Sequence, residues 1–268
     1  MGLEEMIKEA LIIADRHTPA HSERCDKILK EYIENNKKRI EYFVDLGDCI
    51  DNPYMSTFPV DPYWKDNPQE EFDAYAEFIK EVQDIIPKAN YIILAGNHDK
   101  GRLSNAKNLN RGLASLRNLE YENVMKNAFE EAGVKTRKVF LEDGDYDLHL
   151  TKSNTVTITH GDPRLNPYIK GGVTGTRRTA EMYPNQNDLI MGHKHKYEAF
   201  SRNFPGKICM VTDGIYDIEK MKSMYLAHHP YTNGFVRVLY DKKADKRWID
   251  HISIEDGVAT IDGKIYKG

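Results

Sequence analysis

The stretch YIILAGNHD, residues 91–99, ends an apolar run with side chains that suit metal and proton chemistry. Asn97 offers a neutral carbonyl oxygen to a metal, and His98 gives or takes a proton near neutral pH. A buried strand that delivers such a tip to the carboxyl edge of a sheet puts it where open α/β sheets collect ligands. The stretch therefore predicts part of an active site, although a polar turn after a strand more often only closes a loop.

Four further apolar runs end in polar tips of the same kind. In chain order, the five tips supply Asp15, His17, Asp48, Asp51, Asn97, His98, Asp99, His160, Asp162, His193 and His195. The histidines of the last tip stand at alternate positions, which fits a shared metal centre better than a helix face. Each tip alone occurs by chance, but five in one chain favour a metal site.

Strands and helices must alternate to bring these tips together. Apolar residues at helical spacing predict helices over 4–10, 22–35, 70–86 and 121–132. Apolar runs predict strands over 11–14, 41–46 and 91–94. This order is the βαβ pattern of a parallel sheet whose site lies at its carboxyl edge.

The second half of the chain is richer in short β-type runs. Three of them predict a second sheet: 139–141, 147–151 and 155–159. Later runs predict closing strands and hairpins over 208–211, 234–240, 248–254 and 258–265, with a turn at Asp262 and Gly263. Residues 52–68 are predicted to form an ordered loop over the site.

Composition predicts an ordinary globular protein of one domain over residues 1–268, with core motifs in 14–195 and closing strands in 208–268. The chain is 40% hydrophobic and 30% charged. No apolar run reaches the roughly 18 to 20 residues that span a bilayer, and the first ten residues do not resemble a signal peptide. We therefore expect a cytoplasmic protein without a membrane partner.

The three cysteines and the net charge exclude several kinds of site. Cys25, Cys49 and Cys209 show no CxxC spacing, which argues against a disulfide framework and against a thiolate zinc site. A formal charge of −4 gives no global reason to expect nucleic-acid binding, although a local basic patch can override the average.

Taken together, the five blocks D-x-H, G-D-x-x-D, G-N-H-D, H-G and G-H-x-H resemble those of the calcineurin-like metallophosphoesterase superfamily, over roughly residues 14–195. The resemblance implies an α/β (α+β) fold of two packed mixed β-sheets flanked by helices. That architecture agrees with the βαβ first half and the β-rich second half.

The resemblance also implies a ligand set for two divalent ions. Asp15, His17 and His195 would hold one ion. Asn97, His160 and His193 would hold the other, and Asp48 would bridge both. A nitrogen and oxygen set without thiolate suits Mn, Fe, Zn or Ni, and Mn is the first expectation.

In this scheme the substrate is a phosphate ester, attacked by a hydroxide that bridges the two metals. His98 would not bind metal, but would act as general acid toward the leaving oxygen or as a cation that stabilises the transition state. Asp51 would orient His98. Asp99, Asp162 and Arg16 lie beside predicted ligands and would support them.

The second block departs from the protein Ser/Thr phosphatases of the superfamily. Those enzymes continue the block with an arginine that grips phosphate, whereas Asn52 and Pro53 follow Asp51 here. Arg16, Arg111, Arg177 and Arg178 are the candidate replacements. Two of the loops are basic, and the run over 100–119 fits a phosphate site as well as a solvated helix face.

The favoured function is therefore a di-metal phosphoesterase that acts on phosphodiesters or small phosphorylated compounds. One alternative is a nuclease of the same superfamily, with nucleic acid or a nucleotide as partner. A second alternative is a non-catalytic scaffold, which is disfavoured because all expected ligands and His98 are present.

Overall fold

The fold is described from a computed structural model of the chain. The described residues are 7–56, 67–110, 112–113, 115–161, 177, 180–181, 183, 185–225 and 231–268, with the backbone alone for 223–225. Part of the predicted loop over 52–68 and the first residues of the predicted helix over 4–10 lie outside this set.

The larger sheet has six strands in the order β11-β10-β1-β2-β3-β4. Its strands are β1 (Ile7–Ile13), β2 (Ile40–Asp45), β3 (Asn90–Leu94), β4 (Val139–Glu142), β10 (Asn233–Asp241) and β11 (Lys246–Ile254). β1 to β4 run parallel, while β10 runs antiparallel to β1 and to β11. The carboxyl ends of the parallel strands therefore meet at one edge.

A second sheet of five strands has the order β5-β6-β7-β9-β8. Its strands are β5 (Tyr146–His149), β6 (Thr155–Thr159), β7 (Asp188–Met191), β8 (Glu198–Ser201) and β9 (Ile208–Val211). A separate hairpin pairs β12 (Val258–Ile261) with β13 (Lys264–Lys267). Its turn is the predicted one, with positive φ at Asp262 and Gly263.

In the described part of the chain, five α-helices with defined ends connect or flank these strands. They are α1 (Glu23–Asn36), α2 (Pro68–Ile85), α3 (Arg102–Leu109), α4 (Tyr121–Glu131) and α5 (Ile218–Tyr225). Ser22 caps α1 by accepting from the backbone N–H of Cys25, and Asn67 caps α2 in a capping box with Glu70. The predicted long helices over 22–35, 70–86 and 121–132 are thus found within two residues of their expected ends.

β1 shows how the core is divided, because successive side chains of a strand point to opposite faces. Ala10 and Ile12 pack between the two large sheets, against residues such as Ile92 and Ile158. Leu11 and Ile13, which alternate with them along the strand, pack on the other face, against the apolar stripes of α1, α2 and α4. The predicted fold class, packed mixed sheets flanked by helices, is confirmed. The prediction of one domain stays a prediction.

The short helix predicted over residues 4–10 is wrong for its described part, because residues 7–10 belong to β1. The charged side chain of Glu9 gives the sequence here the amphipathic pattern of a helix. Its carboxylate is fully buried and accepts hydrogen bonds from Tyr32 Oη at 2.8 Å and Arg39 Nε at 2.6 Å. A buried ion pair, which the one-dimensional pattern does not reveal, makes the charge compatible with a strand.

The assignment of strands to sheets also needs correction. The run at 139–141 is β4 and pairs in parallel with β3, so it extends the first sheet instead of opening the second. β10 and β11, predicted as closing strands without a sheet assignment, join the first sheet. Apolar runs predict strands but carry no information about which edge each strand reaches.

Among the described residues, no helix combines the length and the apolar character that a membrane crossing requires.

Removing a side chain from the layer between the sheets should destabilise the protein strongly. Ile92 is 1% exposed there, so Ile92→Ala is expected to lower the free energy of unfolding by about 2–5 kcal/mol. Ile265→Ala is the matched control, since that side chain is 60% exposed and the change should cost less than about 0.5 kcal/mol. Urea unfolding of both variants measures the difference, and equal midpoints would contradict the packing described above.

Candidate metal centre

Five strand ends, three from the first sheet and two from the second, meet around one cluster of polar side chains. β1, β2 and β3 deliver the tips after Ile13, Asp45 and Leu94, and β6 and β7 deliver the other two. Hydrogen bonds between tips hold the cluster together. The backbone N–H of His193, in the second sheet's tip, donates to both carboxylate oxygens of Asp15, at 3.1 and 2.8 Å.

Asp15, His17, Asp48 and His195 form one group with metal-ligand geometry. The Nε2 atoms of His17 and His195 are 3.0 Å apart, and His195 Nε2 is 3.4 Å from Asp15 Oδ1. His17 donates its Nδ1 proton to a carboxylate, so its Nε2 presents a lone pair. When no metal is present, His195 Nε2–H can donate to this lone pair; both nitrogens also point to one place, so the residues fit a metal.

Asp48, His160 and His193 form a second group, and Asn97 adjoins it. His160 Nε2 is 3.2 Å from Asp48 Oδ2 and 3.0 Å from Asn97 Oδ1. Because His160 Nδ1 donates to the carbonyl oxygen of Leu46 at 2.9 Å, its Nε2 faces these two oxygens. The second group therefore also directs nitrogen and oxygen atoms at one point.

Asp48 belongs to both groups and is 1% exposed. Its Oδ1 accepts from the backbone N–H of His98 at 2.8 Å, which fixes the carboxylate. Its Oδ2 is buried and has no hydrogen-bond partner among the described residues. A buried carboxylate oxygen needs a compensating positive charge, from a protonated imidazole or a metal, so this atom fits a cation shared by the two groups.

The ionisation of the cluster reflects the same arrangement. Burial raises the pKa of Asp48, but the facing imidazoles of His160 and His98 outweigh it and hold this pKa well below its usual value. Burial lowers the pKa of His160, yet the Asp48 carboxylate raises it to about 9. Burial and then His160 lower the pKa of His193 to about 3. Without a metal, a proton on His160 compensates Asp48, and a metal ion would displace that proton.

Five of the clustered side chains sit on backbone in the left-handed region. The φ angles are 50° at Asp15, 49° at His17, 51° at Asp48, 73° at His193 and 55° at His195. Each such residue costs of order 1–3 kcal/mol when it is not glycine. This backbone conformation turns the tips back over the strand ends, and the surrounding hydrogen bonds stabilise it.

Asp99 connects the tips of β2 and β3. It is fully buried, and its two oxygens accept from the backbone N–H groups of Ile50 at 3.0 Å and Gly96 at 2.9 Å. The π-helical turn Asn97–Gly101 is therefore anchored to the tip of β2. Asp99 supports the tip, as its place beside Asn97 predicted.

Asp51 lies between two imidazoles. Its Oδ1 accepts from His17 Nδ1 at 2.7 Å and from His98 Nδ1 at 2.9 Å. These bonds explain why the three residues cluster, and they leave His98 Nε2 directed toward Asp48 Oδ2 at 3.9 Å. The contact predicted between Asp51 and His98 is present, and Asp51 also binds His17.

Arg16 lies away from the cluster, although Asp15 and His17 flank it in sequence. Its guanidinium donates to Asp26 Oδ2 at 2.7 Å and to Thr18, and it covers the ring of Phe78 at 4.2 Å. The side chain is 2% exposed, so it anchors the first tip to α1 and α2.

The other predicted phosphate ligands do not join the cluster in the described part of the chain. Arg177 is exposed and lies over the ring of Phe200 at 5.8 Å. Arg111, Arg178 and Asp162 lie outside the described residues.

Sequence reasoning missed two buried charges behind the tips. Glu71 of α2 accepts from the backbone N–H groups of Asp51 and Asn52, at 3.2 and 2.6 Å. Arg102 of α3 donates to the Asp51 backbone carbonyl and to its Oδ2, the latter at 3.4 Å. Glu71 stands four residues before Tyr75 on the apolar face of α2, a signal that could have identified it.

Comparisons with known proteins bear on the same region of the chain. A family model described as calcineurin-like phosphoesterase matches residues 9–204. No curated protein sequence matches the chain. Among solved structures, the hypothetical protein PH1004 from Pyrococcus horikoshii OT3 is 11% identical, with 92% of this chain and 89% of that chain covered. The TM-score of that comparison is 0.44.

A methyl group at position 96 should disturb the cluster. A Cβ on Gly96 would lie 2.2 Å from both the backbone nitrogen and Oδ1 of Asp48, so Gly96→Ala must displace that carboxylate. We expect at least about tenfold weaker Mn²⁺ binding, measured by calorimetric titration, because support of metal ligands is worth 10–100-fold in affinity.

Gly101→Ala is the matched control in the same turn. Its added Cβ would make only an ordinary contact, 3.6 Å from the Asn97 Cβ. We expect unchanged Mn²⁺ binding, and a loss as large as that of Gly96→Ala would show that the turn, and not the Asp48 contact, is responsible.

Proposed function

Because the chain belongs to the calcineurin-like phosphoesterase family, we propose that it is a two-metal hydrolase of phosphodiesters or small phosphorylated compounds. The proposed ions are divalent transition metals, with Mn²⁺ first and Fe, Zn or Ni as the other candidates. When bound, such ions polarise phosphoryl oxygens and make hydroxide available near neutral pH.

The observation that carries the proposal is the Asp48 Oδ2 atom. It is buried, and it lies 3.2 Å from His160 Nε2 and 4.0 Å from His17 Nε2, one nitrogen from each ligand group. One carboxylate thus stands between the two ligand groups, which supports a bridging role. In the proposed assignment, the first ion is held by Asp15, His17 and His195, the second by Asn97, His160 and His193, and both by Asp48.

His98 is the proposed proton donor to the leaving oxygen. Its Nδ1 is held by Asp51, and its Nε2 faces the cluster from the side of α3. Burial lowers the pKa of His98, but the carboxylates of Asp48 and Asp51 outweigh it and raise that pKa above the usual value. An imidazole beside the cluster, directed by a fixed carboxylate, is suited to general acid catalysis when it carries a proton.

The preference for diesters and small phosphorylated compounds over phosphoproteins is supported at position 52. Where protein phosphatases of the superfamily carry a phosphate-gripping arginine, Asn52 is fully buried. Its side-chain amide donates to the His98 carbonyl oxygen at 3.2 Å, so it stabilises the tip. The chain then lacks that phosphate grip at this position.

A substrate panel tests the proposed reaction. Mn²⁺-loaded protein would be assayed with bis-aryl phosphate, aryl monophosphate, a cyclic nucleotide, a phosphopeptide and single-stranded DNA. We expect turnover of the bis-aryl phosphate above that of the phosphopeptide, with chelator abolishing both. Cleavage of DNA as the best substrate would favour the nuclease alternative. No hydrolysis with any metal would favour a scaffold.

Removing the His98 imidazole should separate catalysis from metal binding. His98→Ala is expected to lower kcat for the bis-aryl phosphate about 10²–10⁴-fold, the usual contribution of a general acid. Mn²⁺ affinity should change little, since His98 is not a proposed ligand. His149→Ala, at an exposed histidine of β5, is the control and should keep wild-type turnover. Wild-type turnover in His98→Ala would refute the assigned role.

A further inference from the structure

Arg102 contacts both Asp51 and His98. It is the first residue of α3, is 8% exposed, and extends its guanidinium toward the tips of β2 and β3. Nη1 donates to the Asp51 backbone carbonyl and approaches Asp51 Oδ2 at 3.4 Å. Nη2 lies 3.4 Å from His98 Nε2. A guanidinium only donates, so this approach is a hydrogen bond when the His98 imidazole is neutral, whereas the contacts with Asp51 do not depend on that protonation.

The Asp51 carboxylate is oriented from opposite sides. Its Oδ1 accepts from the Nδ1 atoms of His17 and His98, while its Oδ2 faces Arg102. A carboxylate that must serve two imidazoles with one oxygen has little rotational freedom left. Arg102 binds the backbone and the side chain of Asp51 together, and a planar guanidinium is suited to such a fork of contacts.

We propose that Arg102 is a positioning residue, which holds the Asp51 carboxylate in the rotation that directs His98 at the leaving oxygen. The inference rests on the proposed function for its chemistry. Through the shared oxygen of Asp51, the same arginine fixes the ring of His17, so it links the proton donor to a proposed metal ligand. Arg102 acts through Asp51, and the proposal assigns it no contact with substrate.

A merely structural role makes a different prediction. If Arg102 only anchored α3 to the tip of β2, its loss would lower stability and slow every substrate by the same factor. Positioning of an acid matters most when the leaving group needs a proton. The dependence of rate on leaving-group basicity therefore distinguishes the two roles.

The kinetic test compares Arg102→Met with wild type on methyl aryl phosphodiesters whose phenols range from dinitrophenol to unsubstituted phenol. We expect kcat for the phenyl ester to fall about 10²-fold or more, and kcat for the dinitrophenyl ester to fall less than about tenfold. His98→Ala should show the same steeper dependence, and the double variant should be no slower than His98→Ala. An equal loss across the series, or none, would overturn the proposal.

Two further variants control for charge and for folding. Lys107→Met removes a cation from the same helix, where Lys107 pairs with Glu120, and it should leave the leaving-group dependence unchanged. Arg102→Lys keeps the charge but loses the planar fork, so its dependence should lie between wild type and Arg102→Met. The proposal would also be overturned if Arg102→Lys lost as much unfolding free energy as Arg102→Met but kept the wild-type leaving-group dependence.

A second readout needs no activity, and so separates this inference from the proposed function. In ¹⁵N-histidine NMR spectra of the metal-free protein, the Nδ1 protons of His17 and His98 should be visible because they bond to a buried carboxylate. Arg102→Met should shift or broaden both resonances, while Lys107→Met should leave them unchanged. Unchanged resonances in Arg102→Met would refute the positioning role whether or not any phosphoester is hydrolysed.

Discussion

The structure of the cluster depends on one placement that is unfavourable unless a positive charge compensates it, the buried carboxylate of Asp48. An isolated buried charge costs several kcal/mol unless an opposite charge compensates it. The facing imidazole nitrogens at 3.2 to 4.0 Å respond to this charge, which explains the low pKa of Asp48 and the high pKa of His160. A cation at the cluster would satisfy the carboxylate and the nitrogen lone pairs together.

Both sheets position the groups of this cluster. Asp15, Asp48 and Asn97 come from the first sheet, while His160 and His193 come from the second. The apolar layer between the sheets therefore sets the distances between ligands, and it also offsets the strain of the left-handed tips. The geometry of the cluster therefore depends on how the hydrophobic core between the two sheets packs.

The sequence predicted which side chains cluster better than it predicted how the strands connect. Polar residues at strand ends are local signals, so the residues of both ligand groups could be chosen before the structure was known. The helix over 4–10 failed because the burial of Glu9 depends on Arg39 and Tyr32, which are distant in sequence. Arg102 was only one of five basic residues over 100–119, and no local pattern shows that its guanidinium reaches Asp51.

The place of β10 in the first sheet has a consequence for how the protein is made. β10 pairs along β1 from Asp241 opposite Ile7 to Val236 opposite Ile12, although residues 14–232 separate the two strands in the chain. A ribosome has thus synthesised every proposed ligand before β1 gains this neighbour, and the nascent chain exposes an open strand edge meanwhile. The first tip is nevertheless held by β2, through the bonds from Asp15 N to Gly47 O and from His17 N to Asp48 O. The tips of β1 and β2 can accordingly come together during translation, before β10 completes the sheet that supports them.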